Sequence, residues 1–136
     1  MTASRIDARH ATINRAARIL AGRGESSLVL WHGLAKSLGN IIGDAGFTSL
    51  FLRTLHQFEP RHPWLAAALA PDTRPIDYLA TVLATRSRAE AEAVSTSMLL
   101  DFTDALSCLI GERVIQRILL GAWESLAADA LPEESR

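Results

Sequence analysis

Asp101 and Asp104 lie three residues apart and are the pair in this sequence with the best spacing for acid-base work. On a helix they share a face, where one carboxylate can raise the pKa of the other or both can receive a cation. Arg113 and Arg117, beyond the turn expected at Gly111, are the arginines placed to neutralise them. An enzyme here would use Asp101, Asp104 and a histidine, and that is the less favoured reading. None of His10, His32, His56 and His62 joins a carboxylate at the i, i+4 spacing that puts two metal ligands on one helical face. His56 and His62 straddle Pro60 and read as ordinary surface or partly buried residues. Di-iron bundle chemistry needs paired Glu-x-x-His motifs on facing helices, and the chain has a single one, Glu59 to His62, interrupted by Pro60. Cys108, the single cysteine, is expected to be buried among Leu106, Leu109 and Ile110, where a thiol is poorly reactive. Neither G-x-x-x-x-G-K-[ST] nor G-x-G-x-x-G occurs, which removes nucleotide binding through those folds. No catalytic set, metal or cofactor is expected.

Large apolar side chains offer more than the polar ones. Three tryptophans and four phenylalanines fall in helical stripes, and such stripes fill a core, line a pocket or form an interface. Trp31, His32, Phe51, Met98, Phe102 and Trp123 are the candidates for a pocket or an interface. A second candidate surface is basic. Residues 1–23 hold five arginines against one aspartate, a local +4 in a chain of net charge -1, so the remainder carries -5. Arg5, Arg9, Arg15 and Arg18 read as a docking face for an acidic surface, opposite the apolar side of the first helix.

The elements that must position these residues are helices, because alanine and leucine dominate and no period-2 run of β-branched residues appears. Ile6, Ile13 and Leu20, with His10, Ala16 and Ala17, make an apolar stripe that ends near Gly22 and Gly24. Ser26 or Ser27 caps a second helix carrying Leu28, Trp31, Leu34, Leu38 and Ile41. Its glycines imply a kink or a close backbone approach, and Gly39 with Gly43 suggests a tight helix crossing. Phe47, Leu50, Phe51, Leu55 and Phe58 define a third helix ended by Pro60 and Pro63. Pro63 opens a short helix bringing Trp64, Leu65, Ala68 and Leu69 to the core, closed by Pro71. A further helix starts at Pro75. Unbroken to Ile110 it would span about 50 Å and leave apolar surface for a second subunit. Ser87 with Glu90 has the capping-box spacing that places a break at 85–89. Ala91, Val94, Met98, Phe102, Ala105, Leu106 and Leu109 face the core from the central helix, and Val114, Ile115, Ile118, Leu119, Trp123 and Leu126 from the last.

The chain therefore reads as all-α: one domain over residues 1–136, a compact bundle of about five or six helices, orthogonal or up-down, with no sheet and with residues 1–4 and 130–136 frayed. It shows no uninterrupted apolar run of membrane-span length and no signal-peptide pattern; with one cysteine, a cytoplasmic location is expected. The expected function is a non-catalytic interaction or regulatory domain that works by self-association, as a homodimer, or by binding a protein partner. A small apolar ligand in an aromatic pocket is the alternative. DNA binding through the basic first helix is a second alternative, and nucleic acid is disfavoured because the last helix has only two outward cations and starts at acidic Glu112.

Overall fold

Apolar periodicity becomes six α-helices and one short 3₁₀ turn in a computed structural model that describes residues 5–66 and 74–123. In chain order they are α1 (Arg5–Gly22), α2 (Leu28–Gly39), α3 (Gly43–Phe58), the 3₁₀ turn (Pro63–Ala66), α4 (Pro75–Leu83), α5 (Arg88–Ile110) and α6 (Glu112–Ala122). No strand occurs among the described residues, and the architecture is the all-α bundle expected from the sequence. The expectations for residues 1–4, Ala68, Leu69, Pro71, Leu126 and 130–136 lie outside the described residues.

The stretch from Pro75 to Ile110 is two helices. Ser87 has extended backbone, and its hydroxyl accepts a 3.2 Å hydrogen bond from the Glu90 amide, which starts α5 and ends any continuity with α4. Pro75 opens α4, where its missing N–H costs nothing. Gly39 and Gly43 do not form a helix crossing: they stand at the end of α2 and the start of α3, and the positive φ of Gly43 (77°) turns the chain between them. The close approach is at Gly33 instead, where a Cβ would lie 3.2 Å from the carbonyl oxygen of Ala122 at the end of α6.

Of the two serines expected to cap α2, Ser27 stands at the N-cap without a capping side-chain bond, Ser26 receives the first helix amide, and a residue of another helix joins them. Glu92 of α5 accepts from the Ser27 amide (2.8 Å) and from the Ser26 hydroxyl (3.0 Å). The Ser27 hydroxyl is drawn away to Ser95 Oγ, 2.7 Å off, while Ser26 Oγ accepts from the Leu28 amide. A carboxylate at the positive end of the α2 dipole is electrostatically favourable as well as hydrogen-bonded.

A single apolar cluster contains side chains from all six helices and Leu65 of the 3₁₀ turn. α5 is its spine and packs against α1, α3, α4 and α6. By length and composition α5 is also apolar enough to cross a membrane; in this fold its stripe Ala91, Val94, Met98, Leu99, Phe102 and Leu106 is buried in the bundle. The last turn departs from expectation. Leu106 and Ile110, four residues apart, take the inward positions, so Leu109 and Cys108 face solvent, and Leu109 is 66% exposed.

Candidate functional site

Arg9 is fully buried, and this removes it from the exposed basic face expected of it. Its neighbours on the inward stripe of α1 are Ile13, Ala16 and Leu20, at i+4, i+7 and i+11. The guanidinium meets two other helices. Nε donates to Glu112 Oε2 (2.8 Å) and Nη2 to Glu112 Oε1 (3.0 Å), a bidentate pair with the first residue of α6. Nη1 donates to Asp104 Oδ1 and to Thr103 Oγ1 (3.0 Å), and Nη2 reaches Ser107 Oγ at 3.4 Å. His10 Nε2 stands 2.8 Å from the same Asp104 Oδ1, and Gln116 Nε2 donates to Glu112 Oε2 at 3.2 Å.

Asp104 is thus neutralised by Arg9, 95 residues upstream, and not by Arg113 or Arg117, the candidates that sequence proximity suggested. Both of those arginines are exposed. The physical reason is the corner at Gly111 (φ 93°), which brings Glu112 to the Arg9 side and leaves Arg113 facing out.

The cluster splits the two aspartates electrostatically. Burial pushes Asp104 up, but hydrogen bonds from His10 and Arg9 more than reverse this and hold it below the usual carboxylate range. Burial raises Asp101, and the charge of Asp104 raises it further, with Arg53 opposing. The hydrogen bond from Arg9 holds Glu112 down. For Arg9, burial disfavours the charge, while Glu112 and Asp104 outweigh it and keep the group ionised. Every polar group of the Arg9 side chain is engaged within the fold, so the cluster binds three helices together and presents no free acid-base pair.

The aromatic candidates pack into one another. Trp31 meets Phe51 edge-on at 5.6 Å between centroids and Phe102 at 5.2 Å. Its indole N–H donates to Ser95 Oγ at 3.2 Å, and that of Trp123 to the Leu30 carbonyl at 3.2 Å. Met98 is completely buried beside this core. His32 is the exception: it is exposed and borders a groove of about 480 Å³ between α2, α3 and the start of α4, with Lys36, Asp44, Phe47, Arg74 and Asp77. None of Trp31, Phe51, Met98, Phe102 and Trp123 lines that groove.

On α1, Arg15 and Arg18 are exposed as expected, and the side chain of Arg5 lies outside the described residues. No group of three or more potential metal ligands occurs among the described residues.

The outer side of α6, weighed from the sequence only for its two outward cations, also carries apolar side chains, Val114 among them, which was expected to face the core. Val114 (39% exposed) and Leu120 (65%) lie on one i, i+3, i+6 row with Arg117 between them, and Arg113 stands one turn before Arg117. Arg113 and Arg117 form no hydrogen bond or ion pair among the described residues. The signal was present in the strong one-sidedness of the helix, Ile115, Ile118 and Leu119 inward, which leaves Leu120 unaccounted for by the core.

Comparison of the chain with protein-family models, with curated proteins and with solved structures gives no match in any of the three.

Proposed function

We propose that this chain is a non-catalytic helical domain that acts by binding another protein chain, a second copy or a different protein, through the outer side of α6. The observation that carries this reading is the exposure of Leu120 and Val114 along one row of that helix. Single exposed leucines are ordinary on protein surfaces, but two apolar side chains spaced along one helix face, with arginine beside them, have the composition of an interface. The internal use of Arg9, Asp104 and Glu112 supports the non-catalytic part, since the strongest charged constellation is committed to joining α1, α5 and α6.

A photo-crosslinking amino acid placed at Leu120 in the living host tests the reading, with the same residue at exposed Ser49 on α3 as the comparison. Discrete adducts from position 120 that are absent from position 49 are expected. No adduct, or the same pattern from both positions, overturns it.

A further inference from the structure

The geometry points to an acidic, amphipathic helix of a partner protein as the occupant of the outer side of α6, its carboxylates one turn apart on Arg113 and Arg117 and its apolar side chains laid on Val114 and Leu120. The inference rests on the binding reading above and specifies the chemistry of the partner.

Charge carries it. Glu112 is the only acidic residue of α6, and it is turned inward and held bidentately by Arg9, with Gln116 also bonded to it. The outward side of α6 is left with two arginines and no acid, and neither arginine has a partner among the described residues. Arg113 sits in the first turn, at the positive end of the helix dipole, where a cation is disfavoured. Nothing within the described fold compensates that placement. A carboxylate docked there would be attracted by both the arginines and the helix end.

The apolar row decides between kinds of partner. A nucleic acid would gain two phosphate contacts and nothing from Val114 or Leu120. A second copy meeting this face across a two-fold axis would set arginine against arginine. An acidic helix with leucine-type side chains at i, i+3, i+4 matches both features, the mode in which an amphipathic helix lies along a complementary groove or face.

The test titrates the full chain into a fluorescein-labelled synthetic helical peptide carrying Glu and Leu at i, i+4 spacing, read by anisotropy, with a Lys-for-Glu counterpart alongside. The acidic peptide is expected to bind and the lysine peptide not. Arg113→Glu with Arg117→Glu should weaken the acidic peptide at least about tenfold and let the lysine peptide bind, a swap that a misfolded variant could not produce. Leu120→Ala should weaken binding several-fold while the circular dichroism stays unchanged.

Absence of acidic-peptide binding, or equal binding by the charge-reversed variant, overturns the inference. So does any of three alternative occupants. A dimer abolished by Arg117→Glu assigns the face to a second copy, and duplex DNA binding abolished by the same change assigns it to nucleic acid. Peptide binding that appears only when Glu124, Asp129, Glu133 and Glu134 are replaced by their amides assigns it to the chain's own 124–136 stretch. Crosslinks from position 120 without acidic-peptide binding would retain the broader reading and remove only this one.

Discussion

Arg9 holds a full positive charge at zero exposure, and its cost is offset only while both Glu112 and Asp104 stay ionised. Glu112→Gln should therefore lower stability at pH 7 by about 2 kcal/mol, because one lost charge strands a buried one. The signs of the pKa shifts extend this to pH. Glu112 and Asp104 are held below their ordinary values, so their contribution is complete at neutral pH and is lost as pH falls below the ordinary carboxylate range and through their lowered folded values. The deficit of Glu112→Gln should shrink in that window as Glu112 itself protonates in the parent. Asp101 runs the other way. Its folded value is raised, so its ionised form costs stability at neutral pH, and that cost disappears as pH falls through the folded value. Asp101→Asn should be the more stable protein at pH 7, with the difference closing in acid; urea unfolding midpoints across the pH range check both variants. The inward place of Arg9 was legible in the spacing 9, 13, 16, 20, which is a better helical stripe than one excluding it. Its partners were not, since pairing over about a hundred residues depends on how three helices meet.

At the level of the elements, two glycines hold the bundle in shape for different reasons. Gly33 has ordinary helical backbone and no room, with the Ala122 carbonyl 3.2 Å and Trp123 Cδ1 3.4 Å from the position of a Cβ. Gly111 has open space and a backbone, φ 93° and ψ 148°, that other residues rarely adopt. Gly33→Ala should cost about 1 kcal/mol in spite of alanine's better helix propensity, because the end of α6 must move. Gly111→Ala should cost about 1–3 kcal/mol through strain alone. Thermal unfolding measures both losses. Only Gly33→Ala should also change the tryptophan fluorescence, since Trp123 packs against it. Helix order, the Ser87 break and the prolines were legible because each rests on a local signal within four residues. The Glu92 cap on α2 was not, because the carboxylate comes from the neighbouring helix and leaves no mark in the local pattern. Burial of Cys108 was misjudged for a related reason: a leucine-rich neighbourhood in sequence does not set the helical phase, which Leu106 and Ile110 fix here.

For the molecule as a whole, the break at Ser87 removes the long apolar helix that would have required a second subunit. With arginines on the α6 face opposing self-contact, light scattering on a size-exclusion column should give a mass near 14.8 kDa across a concentration series. A concentration-dependent doubling would mean that a surface other than α6, or a head-to-tail arrangement, joins the copies. The span of the Arg9 cluster has a consequence for synthesis. The residues that receive Arg9 are 94 to 103 positions downstream, so a ribosome adding about 5–20 residues per second completes α1 roughly five to twenty seconds before Glu112 exists. Until α5 is made, Arg9, Ile13, Ala16 and Leu20 lack their main counterpart on the nascent chain. The first helix to be made is among the last that can dock, and in the meantime its inward stripe is open to whatever chaperone waits at the exit tunnel.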